Sequence, residues 1–591
     1  MRKYLKCIAV TIPLALALGG CANALPSTET KSASAGSTET SESLEASNAA
    51  GSTGTSDSSG TCKITEKNVK FYLGDLSNEK ELTLYFVNDG SIPYISMDDI
   101  FGMMKKGKYE ASTDDSGDHT IITISGTKYN ADFDFANDTI YFFDYDAFFK
   151  DENGPLVDIG TLDVLSLSEK METLTNDRYG REQTFDLKKY DIDLVRDGDN
   201  YYIPLQTFSD VILSYSNLFT VYNGEAVFLT NDLYGDMEAE YYKAAPQGTL
   251  PEDLALFSYN ELRFALDHLY GLKEVHNITS FDTFFREIGV EKRLKGTDVL
   301  KKDKAMFEFI TCYLDDLHSS FNNNSYLVAK SDLKEKIAGI YGPSKENYKN
   351  DRAAFSEARK NAFGEEIPPY QEVGNTAYIT FDEFTDPSRE IDYTTQPKED
   401  ELSDTIRLMQ YACEKILRPG SPVKNVVLDL SLNGGGACAS ASYVIGTYLG
   451  TGEMNTINTL TGATTTLKYR IDTNRDGVFD ENDTLAGKGL NLYCITSPVS
   501  FSCGNFVPSA FVYSPHITLL GRTSGGGSCT VQPLSTAYGC AVQISGSKRM
   551  SVFKNGSFYD IDRGATPDYP ISKIADFYDR KKLTDYINGL V

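Results

Sequence analysis

Val426-Val427-Leu428-Asp429-Leu430-Ser431-Leu432-Asn433-Gly434-Gly435-Gly436-Ala437 sets the architecture of the C-terminal half. Val426 to Leu430 is a short run of apolar and β-branched residues, the pattern of a strand covered on both faces. The three glycines permit a tight turn, and a helix is expected from Ala437. Working outward, Thr376 to Phe381 is strand-like, Glu401 to Ile416 is helical and Leu492 to Ile495 is the next strand. A helix beginning near Ser502 and a strand at Ile517 to Leu520 complete an alternation that predicts an α/β core.

Upstream, the apolar period is about 3.6. Ser258 and Glu261 have capping-box spacing, Leu262, Leu266 and Leu269 form one stripe, and Gly271 stands where a helix could stop. A second helix is expected from about Asp303, with Met306, Ile310, Leu314 and Leu317 on one face and His318 at its end. A polar, charged stretch from Lys330 to Pro369 follows. Residues 62 to 240 are rich in Tyr, Phe, Val, Ile and Asp with frequent turn pairs, which predicts an antiparallel β domain. That region carries an internal repeat: Asp89-Gly90 leads through Pro93 to Met97, Asp99 and Ile100, and Asp197-Gly198 leads through Pro204 to Phe208, Asp210 and Val211. The short repeat is similar to the stalk-like N-terminal domain of copper amine oxidases, which implies a spacer or partner-binding module.

At the N-terminus, Arg2, Lys3 and Lys6 precede an apolar run from Ile8 to Leu18, and Leu18-Gly19-Gly20-Cys21 closes it. This is the pattern of a signal peptide over residues 1–20 ending in a lipobox, with a run too short to span a bilayer. Lipidation of Cys21 is expected to hold the chain at the outer face of a bacterial membrane. Residues 21–61 comprise Cys21 and a tether; the part from 25 to 61, almost entirely Ser, Thr, Gly, Ala and Glu, cannot bury enough surface to order itself and reaches on the order of 35 Å.

The chain of 591 residues is too long for one core. Segments are expected at 62–240 (β-rich), 245–370 (helical) and 371–591 (α/β core). A net charge of −28 without a basic cluster argues against nucleic acid as a partner. Ten cysteines include no CxxC pair, so a zinc site is not expected, and Cys529 with Cys540 is the favoured disulfide.

Four blocks carry the chemistry: Leu314-Asp315-Asp316-Leu317-His318-Ser319, Val427 through Gly436, Ser500-Phe501-Ser502-Cys503-Gly504-Asn505, and Gly564-Ala565-Thr566-Pro567-Asp568. Ser502 lies between a strand and a helix, where helix N–H groups favour developing negative charge. In content and order these blocks resemble peptidase family S41, the C-terminal-processing and tricorn-like serine proteases. The resemblance implies a ClpP/crotonase-like α/β core, a helical covering segment, a separate N-terminal β-rich domain and hydrolysis of a protein or peptide substrate through an acyl-enzyme. It implies Ser502 as nucleophile, with the amides of Gly435 and Cys503 as oxyanion donors and Gly434 as fallback. The C-terminal-processing branch uses a Lys as base, but the matching segment here is Gly521-Arg522-Thr523-Ser524-Gly525-Gly526-Gly527-Ser528, with Gly527 at the Lys position. No Lys occurs between Ser502 and Lys548. The tricorn-like branch implies His318 as base and an acid near the C-terminus, Asp562 or Asp560. The alternative is a surface binding protein that keeps the fold without turnover.

Independently of the family, Asp472, Asn474, Asp476, Val478, Asp480 and Asp483 have the spacing of an EF-hand or dockerin calcium loop with Gly477 at the sixth place. A structural calcium clipped into the core is expected, and no catalytic metal. Because all four blocks follow residue 250, the tether and β domain are expected to be dispensable for hydrolysis.

Overall fold

The computed structural model describes residues 62–590 apart from 105–108, 115–116, 125–128, 151–170, 180, 245–247, 330–340, 389–390 and 555–556. The expected signal peptide, lipidated Cys21 and tether fall on residues 1–61, outside the described residues.

The decisive stretch folds as its pattern requires. Asn425–Asp429 is a central strand, and all five of its residues are buried. The sheet runs Tyr370–Val373, Thr376–Thr380, Asn425–Asp429, Asn491–Thr496, Ile517–Gly521, Tyr569–Pro570. All neighbours are parallel except the first hairpin. Side chains alternate between two cores, as a pleat demands. Val426, Leu428, Leu492 and Cys494 pack with Leu408, Val444 and Phe506 on one face. Val427, Tyr493 and Ile495 pack with Phe355, Phe577 and Leu583 on the other.

A second sheet delivers the upstream block. Its order is Ser320–Asn323, Ala541–Ser551, Thr451–Asn458, Thr464–Ile471, Met171–Arg178, with Cys529–Ser535 also on Ala541–Ser551. The helix Glu252–Leu269 starts six residues before Ser258, so the Ser258/Glu261 pair does not mark its N-terminus. Glu261 instead accepts a hydrogen bond from Thr207 Oγ1 (2.9 Å), both buried. The next helix, Val299–Glu308, passes into a π-helical turn over Phe309–Leu314 and stops at Asp315, whose φ is +49°. His318 therefore lies past the helix end, in the turn that leads to Ser320–Asn323. The polar stretch contains a helix at Pro343–Phe363 with only Phe355 buried.

The N-terminal region is β-rich, as expected, with a seven-stranded and a five-stranded sheet. The two copies of the repeat lie side by side, Ile95 opposite Ile203, and each strand runs into a helical turn. In the first copy the strand follows its proline, in the second it ends on it. The region is tightly joined to the catalytic half. Met171–Arg178 pairs with Thr464–Ile471 over eight positions. Gln206 Nε2 donates to Ser535 O (3.1 Å), Asn458 Nδ2 to Asp146 Oδ1 (2.9 Å), Ser535 Oγ to Thr220 O (2.6 Å) and Tyr241 OH to Gly539 O. Phe257 and Phe264, from the covering helix, are part of the N-terminal core.

The favoured disulfide does not form. All eight described cysteines are free. Cys529 pairs with Arg549 while Cys540 sits at the turn beside Ala541, so the two occupy opposite ends of one hairpin, about 20 Å apart at strand rise.

Candidate active site

The site forms beyond the C-terminal ends of Asn425–Asp429 and Asn491–Thr496, where an open parallel sheet leaves a crevice. Asp429 anchors the first loop: Oδ2 pairs with Arg580 (2.7 Å), both buried, and Oδ1 accepts the Ser431 N–H. Asn433 then joins two turns. Its carbonyl accepts from Phe501 N (3.1 Å), and its Oδ1 accepts from Gly435 N (2.9 Å).

Ser502 precedes the helix Cys503–Phe511 with φ +56° and ψ −123°, a conformation that costs a non-glycine residue of order 1–3 kcal/mol. The surroundings fix it. Ser502 N donates to Gly526 O (2.9 Å), and its carbonyl accepts from Asn505 N and Phe506 N. The Gly-rich turn lies directly against it: a Cβ on Gly435 would come within 2.7 Å of Ser502 Cβ and 3.2 Å of Oγ, at a φ of +111°. Only glycine permits that approach. The Gly435 N–H, expected as an oxyanion donor, donates to Asn433 Oδ1 in this structure. Cys503 N, first in its helix, has no acceptor among the described hydrogen bonds.

His318 is buried, with its ring centroid 4.6 Å from that of Phe501, the residue before the serine. Its ring nitrogens make no hydrogen bond among the described residues. Burial holds its pKa below the usual 6.5 against the opposing pull of Asp316 and Asp562. A neutral imidazole, able to take a proton, therefore dominates at neutral pH.

Asp562 is near enough to influence His318 but is held elsewhere. Oδ1 accepts from Ser528 N (2.7 Å) and Oδ2 pairs with Arg549 (2.8 Å), which also binds Asp560 (2.6 Å) and Ser528 Oγ (2.9 Å). The expected His318–Asp562 hydrogen bond is not made, because Arg549 and the Ser528 amide hold both carboxylate oxygens. The group that positions His318 is Asp316. Its carboxylate accepts from the N–H of His318 (3.1 Å) and of Ser319 (2.8 Å), and from the hydroxyls of Ser319, Tyr270 and Ser545. An acidic side chain bonded to amides two and three residues on is an Asx turn, and Asp-x-His-Ser is its local signal. Arg549 has no such signal, because its partners lie 11 and 13 residues further along the chain.

The lysine alternatives fail on space. A Cβ at Gly527, φ +91°, would meet the Phe501 ring at 2.6 Å and Ser502 N at 3.0 Å. Lys548 lies 3.6 Å from the centre of the Tyr215 ring and donates to Tyr215 O, and burial pushes it down to about 8. Its partners are N-terminal residues and not the serine turn. The fourth block closes the site from below: Asn505 Nδ2 donates to Ile561 O (3.0 Å), and Ser524 Oγ links Asn505 to Ala565 N.

The four blocks come together around Ser502, and a family comparison covers the last three of them. Residues 375–571 match the model of peptidase family S41. That segment is similar to S41 peptidases. The match supports a serine-type peptidase whose substrate is protein or peptide. Structural comparisons find a peptidase-like protein of Parabacteroides merdae (13% identity, 58% of this chain and 97% of the other, TM-score 0.38). They also find a lipoprotein of Streptococcus agalactiae (14%, 58% and 98%, 0.33) and mature CPAF complexed with lactacystin (10%, 57% and 97%, 0.35). No curated protein sequence matches the chain.

The Asp472–Asp483 loop follows the strand Thr464–Ile471, as expected, and ends in a short 3-10 turn. Its oxygens bind backbone: Asp472 accepts from Asp476 N and Gly477 N, Asn474 from Asp476 N, Asp476 from Val478 N, Asp480 from Asn482 N, and Asp483 from Thr473, Asn474 and Asp480 N. Among the described residues no three His, Cys, Asp or Glu side chains are grouped to hold a metal ion. The donor types suit calcium, and in this structure they accept from the loop's own amides. No helix of the described residues is long and apolar enough to cross a membrane.

Proposed function

We propose that the chain is an exported, lipid-anchored peptidase that cleaves peptide bonds through an acyl-enzyme on Ser502. The observation that carries this reading is the strained Ser502 backbone held between the Gly435 turn and the start of the helix Cys503–Phe511. Ser502 Oγ attacks the scissile carbonyl and its proton passes to neutral His318. The oxyanion lies against the Cys503 N–H and the positive end of the helix, with Gly435 N joining if it turns away from Asn433. His318 then protonates the leaving amine, and water repeats the sequence to release the acid. Among the described residues no hydrogen bond joins His318 to Ser502, and this is compatible with the reading, since catalytic hydrogen bonds often tighten only with substrate bound. The lack of a Lys at position 527 favours the second reading, a binding protein without turnover. A fluorophosphonate probe separates them: covalent label on the Ser502 peptide, absent in Ser502→Ala, is expected. A folded wild type that takes no label establishes the second reading.

The Asp472–Asp483 loop is proposed to bind calcium. Support comes from the oxygen spacing and from Gly477 at φ +78° in the sixth place. A ligand bound only by the folded state raises the melting temperature by mass action. Millimolar calcium against chelator should therefore raise the midpoint. An unchanged midpoint with no calcium by elemental analysis removes the site.

A further inference from the structure

The two backbone arms that flank Ser502 each lead into a helix, and both helices begin with cysteine. Cys438 opens Cys438–Leu449, two residues after Gly436, and Cys503 opens Cys503–Phe511, directly after Ser502. Their sulfurs lie 3.3 Å apart, and both side chains are buried. Met550 Sδ is 3.3 Å from Cys438 Sγ, and Met550 is buried as well. A disulfide bond is about 2.05 Å long, so the sulfurs need to approach by roughly 1.3 Å, within the reach of side-chain rotation. No other pair among the eight described cysteines is hydrogen-bonded.

We propose that Cys438 and Cys503 are a disulfide site, and that the bond staples the Gly-rich arm to the nucleophile's helix. The oxidant is a low-molecular-weight disulfide. One cysteine thiolate attacks it and releases one thiol. The second cysteine attacks the mixed disulfide and releases the other thiol. Two protons and two electrons leave the protein, and the external disulfide becomes two thiols. Because both sulfurs are buried in the folded chain, the bond closes most readily during folding, and once closed it is shielded from reductants. The bond joins residues 65 apart in sequence, so it restricts the unfolded chain far more than the folded one.

The test is to refold the reduced full-length protein in a buffer of reduced and oxidised glutathione and to map its peptides without reduction. A peptide pair joining Cys438 to Cys503, lighter by two hydrogens than the separate thiols, is expected. The oxidised form should melt at least about 4 °C above the reduced form, and Cys438→Ser should show no such oxidant-dependent shift. Both thiols alkylated in the unfolded, oxidised sample would overturn the proposal, as would either cysteine bonded to a different partner. An equal oxidant shift in Cys438→Ser would assign the stabilisation elsewhere and defeat it too. The peptide map reads the bond itself, so its failure is distinct from any failure of Ser502 as nucleophile.

Discussion

Replacing His318 by Ala is expected to lower turnover at least about a hundredfold while leaving the fold intact, since general-base catalysis contributes about that much or more. The imidazole is buried and makes no side-chain hydrogen bond that holds other elements together, whereas Asp316, which does, remains in place. The pH profile gives a second signature. Acylation needs neutral imidazole, and burial lowers the pKa of His318 from 6.5, so activity should rise with pH and reach its plateau with a midpoint below 6.5. The groups facing the ring are Asp316 and Asp562, which raise its pKa, and Lys345, which lowers it. Turnover on one unfolded substrate, measured against pH for wild type, His318→Ala and Ser502→Ala, decides the matter. Near-normal turnover in folded His318→Ala, with Ser502→Ala inactive, would remove His318 as base. A midpoint at or above pH 7 would point to a different titrating group.

The second large effect concerns the N-terminal region. A chain beginning at Leu250 is expected to be insoluble or molten and to lack hydrolytic activity, contrary to what the position of the four blocks alone suggests. Removing residues 62–249 strips the partner strand from Thr464–Ile471 and leaves its backbone edge open, a template for aggregation. It uncovers Phe257 and Phe264, whose burial contributes about 3–6 kcal/mol together, a large part of an ordinary folding margin of about 5–15 kcal/mol. It also removes the partners of Gln532, Ser535 and Lys548. Circular dichroism and thermal unfolding of that shorter chain are the check. A soluble monomer that melts cooperatively and cleaves substrate at the full-length rate would show the region to be an appendage.

The α/β core was legible because a doubly covered parallel strand reads as an unbroken apolar run, and Asn425–Asp429 is one. Ser502, His318 and the Gly-rich turn were legible because each belongs to a local motif. What the sequence did not disclose is long-range. Arg549, on the strand Ala541–Ser551, holds Asp562 in a later turn, and Asn433 takes the Gly435 amide through a side chain that could equally have faced elsewhere. The helix start was misread because Ser258 and Glu261 share the spacing of a cap while facing the interior at mid-helix, where Glu261 finds Thr207. The junction with the N-terminal region escaped notice for a similar reason: strand pattern tells that a strand exists, not which edge it joins.

That junction also sets an order of events at synthesis. Met171–Arg178 takes its place beside Thr464–Ile471, a partner almost 300 residues later in the chain, with Tyr179 and Thr465 separated by 286 positions. The pairing cannot exist until the ribosome has passed Ile471, and Asp562 and the Gly564 turn emerge later still. Contacts of such separation close slowly. The first part of the protein to be translated thus waits for nearly the last, and a nascent chain carries neither a finished N-terminal region nor an assembled hydrolytic centre while it is still being made.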